Sequence, residues 1–221
     1  MDRIIIYHGS EKIIEKPVFG IANNNSDYGN AFYCTQDLHA AKEWANRKTT
    51  KGIVNKYYFD ARGLKVLDLT NKEPLYWFAI LMHNRTLDPF FKRNHSKELE
   101  YLKREYYNKL NVEEYDVIVG YRADDSYFRF PLLIIDSQIR IERIESVINN
   151  GFLGKQIAIV SQKAFSRLKF EGSFEVETNY TDKYRRRISD ANNRLEDIIM
   201  EERYKDGTRM IDLVRNYDFD K

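Results

Sequence analysis

One cysteine, Cys34, is all that 221 residues contain. That excludes an internal disulfide framework and any cysteine-rich zinc site, and it fits a reduced, cytosolic compartment. A charge excess of either sign is lacking too: 36 Lys and Arg stand against 34 Asp and Glu, for a net charge of +2. A nucleic-acid binder that works by bulk charge needs a basic excess to displace counterions, and this chain has none. No stretch approaches the roughly eighteen apolar residues of a membrane span. The opening apolar run, Ile4-Ile5-Ile6, turns polar at His8 and is too short for a signal-peptide core. Internal repeats and low-complexity tracts are missing, apart from Asn23-Asn24-Asn25. His39, His83 and His95 lie too far apart, without matching carboxylates, to suggest zinc. The expectation is a soluble, cytoplasmic protein without a metal.

Charged residues make up 32% of the chain, above the usual quarter, so the surface is heavily solvated. The length suits about one domain with decorations and is enough to bury a core without staples. Short β-branched runs predict strands at Ile4–Tyr7, Ala31–Thr35, Ile53–Phe59, Leu64–Leu69, Tyr115–Gly120, Ile157–Val160 and Phe170–Val176. Asp37 suits the N-cap of a helix carrying Leu38, Ala41 and Ala45, with Trp44 beside them. Pro74 opens a helix to about Asn84 that is apolar on nearly every side and therefore buried. Ser96 and Ser161 suit the caps of two more helices, and Ile141 to Ile148 mark another, stopped at Gly151. Residues 9–30 form a long loop, and such loops within compact domains are usually functional or disordered. From about Thr181 a charged amphipathic helix and a short second one follow, free to pack on the core, to swap, or to hold a partner. The chain thus divides into a mixed α+β body over 1–180 and a helical extension over 181–221.

Three places near strand ends stand out: Tyr7-His8-Gly9-Ser10, the run Tyr28-Gly29-Asn30-Ala31-Phe32-Tyr33, and Lys155-Gln156-Ile157. Each alone has an ordinary structural explanation, a hydrogen-bonded histidine, a core tyrosine, a solvent-facing glutamine. Their order resembles the ADP-ribosyltransferase superfamily, on the branch with the His–Tyr–Glu style of site found in diphtheria toxin and the poly(ADP-ribose) polymerases. In that branch a strand-end His-Gly-Ser precedes a Gly-x-x-Tyr strand and a helix, as His8-Gly9-Ser10, Gly29 to Tyr33 and the helix from Asp37 do here. The polymerases place a second aromatic eleven residues beyond the strand tyrosine, and Trp44 stands at that distance from Tyr33. The segments Tyr115 to Asp125 and Gln156 to Ala164 resemble an uncharacterised bacterial family of this superfamily, often the toxin of toxin–antitoxin pairs. The resemblance covers about residues 3–175.

What the resemblance implies is an α+β fold with a split β-sheet core, a helical insertion and a helical tail. It implies NAD as a substrate rather than a resident cofactor, and an activity of mono-ADP-ribosyl transfer, with glycohydrolysis when water is the acceptor. His8 would bond a ribose hydroxyl, Gly9 and Ser10 the nicotinamide amide, and Tyr33 with Trp44 would wall the ring. The absence of a Gly-x-Gly-x-x-Gly fingerprint decides nothing, since this superfamily does not use one. Where the branch has glutamate the aligned residue is Gln156, and an amide cannot serve as a general base. That argues against polymer elongation. It leaves open transfer to a strong nucleophile, a base supplied by Asp124 or Asp125, or a fold that binds NAD or ADP-ribose and has lost its chemistry. The acceptor would be protein or nucleic acid, the partner a cognate antitoxin, and no membrane is involved. Arg185-Arg186-Arg187 reads equally as a local nucleic-acid footprint or as one polar helix face.

Overall fold

In a computed structural model the described residues are 2–20, 25–47, 51–123, 129–149, 154–176, 179–202 and 204–221. They form a mixed α+β fold with two β-sheets. One sheet is antiparallel throughout, in the order β1 (Arg3–Ser10), β3 (Ile53–Asp60), β7 (Leu168–Glu175). The β3–β7 register shifts between Lys56 and Tyr57, where Glu171 is the extra residue of a bulge followed by Gly172 at φ +145°. The other sheet runs β2 (Phe32–Cys34), β6 (Lys155–Ile159), β5 (Val117–Tyr121), β4 (Val66–Asp68), and only its β4–β5 pair is parallel. A single bridge joins them: Tyr7 N–H donates to the Thr35 carbonyl at 2.7 Å, and Thr35 N–H to the Tyr7 carbonyl at 3.0 Å.

Alternating strand residues fill the space beside this seam. Ile6, Cys34, Tyr57, Phe59, Ile157 and Ile159 pack there, and burial pushes the Cys34 thiol well up. On its other side the first sheet carries α1 (Leu38–Ala45), whose Ala41 and Ala45 pack with Val54, Val176 and Tyr180. Asp37 caps α1 as its side chain predicts, accepting from His39 N at 2.8 Å and Ala40 N at 3.3 Å. The largest core lies behind the second sheet around α2 (Pro74–Asn84), where Leu75 and every residue from Trp77 to Met82 are buried.

Two stretches depart from the sequence expectation. Ser96 is the first helical residue rather than a cap. Asp88 caps an earlier helix, α3 (Pro89–Asn94), and only His95 separates it from α4 (Ser96–Leu102). The chain then passes through a π-helical stretch, Lys103–Tyr107, into α5 (Asn108–Leu110), and ends at Asn111 in the left-handed region. Helix α6 (Arg129–Ile135) has no counterpart in the expectation; Pro131 falls in its first turn, where a missing N–H costs no intrahelical bond. The helix α7 (Glu142–Asn149) forms where Ile141 to Ile148 mark it; its expected stop, Gly151, lies outside the described residues. Ser161 caps α8 (Gln162–Phe165) through the Ala164 N–H.

The C-terminal helices, α9 (Asn179–Glu202) and α10 (Met210–Arg215), lie against this body. Leu195, Met210 and Val214 belong to the same buried cluster as α2. Arg140 holds the end of α9: its Nε lies 2.8 Å from Glu202 Oε2, its Nη2 3.0 Å from Oε1, and Glu202 is 0% exposed. Arg209 reaches back to the carbonyls of Ser137 and Gln138. Among the described residues no helix is long and apolar enough to cross a membrane.

Removing one member of a buried ion pair strands the other. Glu202→Ala is therefore expected to lower stability by about 3 kcal/mol, at the low end of that mechanism. Urea unfolding measures the loss, and limited proteolysis should place the new cleavage within α9. A variant as stable as the wild type would show that the Arg140 contact does not anchor the tail.

Candidate functional site

Strand β1 ends at the seam, and alternation splits its last residues between two faces. Gly9 faces α1. A Cβ on residue 9 would stand 2.2 Å from the Ala41 carbonyl oxygen and 2.6 Å from Ala45 N, so glycine is what lets the helix lie on the strand. Ser10 faces the other way: its hydroxyl donates to the Lys12 carbonyl and accepts from Asn55 Nδ2 at 2.9 Å. The Ser10 hydroxyl thus anchors the loop that follows β1. It borders a neighbouring hollow with Gly9, Trp44 and Arg47 rather than the pocket that holds Gln156.

His8 shares the face of Ser10 and stacks on Phe32, with ring centroids 4.5 Å apart. Its Nδ1 lies 2.7 Å from the Tyr33 carbonyl oxygen, and since a carbonyl only accepts, Nδ1 carries the proton. Burial lowers the His8 pKa below the ordinary histidine value of 6.5, and the bond to Tyr33 offsets part of that shift. The imidazole is neutral near pH 7, and its Nε2 offers a lone pair. It lines a hollow of about 250 Å3 under the loop carrying Pro17 and Val18, with Phe32, Tyr33 and Phe165.

Tyr33 separates that hollow from an open pocket of about 270 Å3, lined by Gly9, Tyr33, Trp44 and Gln156 among others. The Tyr33 hydroxyl donates to the Gly29 carbonyl at 2.7 Å and accepts from Tyr28 N at 3.0 Å, and burial pushes its pKa up. It closes the turn that Gly29 makes at φ +72°, so Tyr33 offers the pocket a fixed ring rather than a reactive oxygen. Tyr28 stacks on it at 6.5 Å and donates to the Tyr121 carbonyl at 2.6 Å. That contact needs Gly120, because a Cβ there would fall 2.2 Å from the Tyr28 oxygen. Trp44 lines the pocket, and the Arg122 guanidinium sits 4.7 Å from its ring centroid, so a cation shares this wall.

Gln156, at the start of β6, is 2% exposed and fully engaged through its amide nitrogen, which donates to Asp27 Oδ2 at 2.8 Å and to the Tyr121 carbonyl at 3.3 Å. Asp27, Arg85 and Arg122 are the residues that sequence reasoning misses. Asp27 Oδ2 also accepts from Ala123 N at 2.9 Å, and Oδ1 lies 3.0 Å from Arg85 Nε. Burial pushes the Asp27 carboxyl above the usual carboxylate range, while Arg85, the Ala123 amide, Gln156 and Arg122 pull it partly back. Among the described residues lining the pocket, Arg47, Arg85 and Arg122 stand against one carboxylate, a balance that favours an anionic ligand. Asp124 and Asp125 lie outside the described residues, as does the Arg187 side chain, while Arg185 and Arg186 are exposed. Among the described residues no group of three or more His, Cys, Asp or Glu is placed to hold a metal.

These features define a two-sheet α+β protein with a cationic, aromatic-walled pocket at the seam between its sheets. The chain belongs to a family described as a protein of unknown function, DUF3990, whose profile matches residues 4–170, about three quarters of its length. No curated protein and no solved structure matches it.

Two measurements follow from this geometry. Gly9→Ala forces a Cβ into the backbone of α1 and should destabilise by about 3 kcal/mol in urea unfolding; an unperturbed midpoint would refute the close approach. His8 has a folded-state pKa below its unfolded value, so the unfolded chain binds the proton first as pH falls. Wild-type stability should therefore drop below about pH 6.5, through to the lowered folded value. The stability gap between wild type and His8→Gln should narrow from pH 7.5 to pH 5 in paired urea titrations. A gap that stays constant or widens would mean that His8 is not held neutral.

Proposed function

We propose that the protein is an NAD-dependent mono-ADP-ribosyltransferase acting in the cytoplasm as the toxin of a toxin–antitoxin pair. The observation that carries this reading is the convergence at one seam of the three segments that resemble the superfamily's motifs. Gly9, Tyr33 and Gln156 come from three strands and line one pocket, and His8 is tied to Tyr33 through its carbonyl. The toxin role, the antitoxin partner and the cytoplasmic site rest on the family resemblance and the single buried cysteine.

Breaking the bond between nicotinamide and ribose spreads positive charge over the sugar, as in glycoside hydrolysis. The electron pair of that bond leaves with nicotinamide. The Gly9 backbone holds the nicotinamide amide, and the Tyr33 ring, stiffened by its own hydroxyl bonds, forms the wall. His8, in the hollow on the far side of Tyr33, sets the place of that wall through its Nδ1 bond to the Tyr33 carbonyl, so the ribose-bonding role that the resemblance gives it is not carried over. Stacking on such a wall contributes on the order of 1 kcal/mol. The arginines around the pocket suit the pyrophosphate. Catalysis comes mainly from positioning and electrostatics.

A second reading, an NAD- or ADP-ribose-binding module without chemistry, is favoured by the amide at position 156. Nicotinamide release separates the two. The purified protein is expected to release nicotinamide from NAD, with release only in the presence of cell extract marking a transferase. His8→Ala and Tyr33→Ala should each cut that rate by roughly 100-fold or more while cooperative unfolding persists. Full activity in the double variant would sink the assignment, and NAD binding without release would establish the module.

A further inference from the structure

The transferase reading leaves the ribose cation without a carboxylate at position 156, and the pocket supplies one from a different segment. Asp27 is 7% exposed and is the only acidic side chain among the described residues lining the pocket that holds Gly9, Tyr33 and Gln156. Its Oδ2 accepts from Gln156 Nε2 at 2.8 Å and from Ala123 N at 2.9 Å, which fixes the plane of the carboxylate against β6 and the end of β5. Two carboxyl groups at such a distance cannot both ionise, whereas an amide donates to its neighbour without competing for charge. Glutamine at 156 therefore holds the acid at 27 without adding a second charge beside it.

We propose that Asp27 is a charged acid of this site, facing the ribose cation, and that Gln156 is the positioning residue that holds it there. The inference rests on the transferase reading. In the reaction the C1′–N bond breaks and its electron pair leaves with neutral nicotinamide. The C1′ cation is held opposite the Asp27 carboxylate. An acceptor bearing a proton, water in the simplest case or a hydroxyl or amine, donates a lone pair to C1′ and gives its proton to Asp27, which returns it to solvent. No redox change occurs. The charged neighbours that face Asp27 are Arg85 and Arg122. The hydroxyls of Tyr28 and Tyr33 donate to backbone carbonyls, and burial raises both pKa values, so they stay neutral. Burial raises the Asp27 carboxyl as well, which suits a group that must take up a proton.

The test is an exchange of the two functional groups. Asp27→Asn, Gln156→Glu and the double variant Asp27→Asn/Gln156→Glu are compared with the wild type for nicotinamide release from NAD, for NAD binding, and for thermal unfolding between pH 5 and pH 8. Asp27→Asn is expected to lose roughly 100-fold or more in release while still binding NAD and unfolding cooperatively. Gln156→Glu should release nicotinamide more slowly than the wild type, and should lose stability as pH rises, because ionising the second carboxyl opposes the first. The double variant again holds one acid and one amide, and should recover both stability and most of the release. A merely structural role for Gln156 would not predict that rescue.

Release at the wild-type rate by Asp27→Asn, or faster release by Gln156→Glu, overturns the proposal. If the wild type releases no nicotinamide under any condition, the transferase reading fails and the catalytic role of Asp27 goes with it. The pairing of one acid with one amide is then decided by unfolding alone: Gln156→Glu as stable as the wild type at pH 8 would overturn that as well.

Discussion

Two backbone hydrogen bonds, exchanged between Tyr7 and Thr35, carry the β1–β2 seam on which the arrangement of the site depends. Each is worth only about 1 kcal/mol net, so the seam needs support from its neighbours. Thr35 supplies some: its hydroxyl donates to the Lys155 carbonyl at 3.1 Å and accepts from Asp37 N at 3.0 Å. One side chain thereby ties β2 to β6 and sets the start of α1. The His8 bond to Tyr33 adds a contact one step along, and Ile6, Cys34 and Tyr57 close the apolar layer beside it. With this junction in place, a histidine from one sheet and a tyrosine from the other meet at a fixed distance. Neither strand edge alone holds both.

The pocket beside the seam follows a second rule, which is that buried charge must be paired. Asp27 is held by an arginine, a backbone amide and a side-chain amide, and the guanidinium of Arg122 lies over an indole rather than in bulk solvent. Three hydrogen bonds converge on the Tyr121 carbonyl, from Tyr28, Trp77 and Gln156, so the end of β5 is locked where it meets the pocket. Rigidity of this kind keeps polar groups aimed at a ligand without reorganisation when charge develops. It also explains why the tyrosine hydroxyls are spent on the backbone: they hold the walls still.

Much of the fold is legible in the sequence because its signals are local. Asp37 and Ser161 cap the helices that their side chains announce, and α2 keeps both expected ends because Pro74 opens it and its apolar residues surround it. Cys34 turns away from Tyr33 as strand alternation requires. The expectation goes astray where one local signal hides another. Asp88 with Pro89 begins a helix before Ser96 can cap one, and Pro131 sits in a first turn. Within the site, Gly9, Tyr33, Trp44 and Gln156 are found from motif order. Asp27, Arg85 and Arg122 are not, because they lie on a turn, after a helix and after a strand, and no spacing links them. Ser10 illustrates the converse, a motif position whose hydroxyl the neighbouring loop has claimed.

The way the last helices enter the main core has a consequence for the order of events during synthesis. Met210 and Val214 occupy the cluster that also holds Trp77 and Ile80, and β1 finds its sheet partner in β3, which in turn pairs with β7. A chain emerging at about 5–20 residues per second therefore spends many seconds with its first strand made and its core still open. During that interval the hydrophobic surface of α2 is uncovered, and the seam lacks the strand that brings Gln156. The pocket is therefore incomplete until the chain has been made through β6, which carries Gln156.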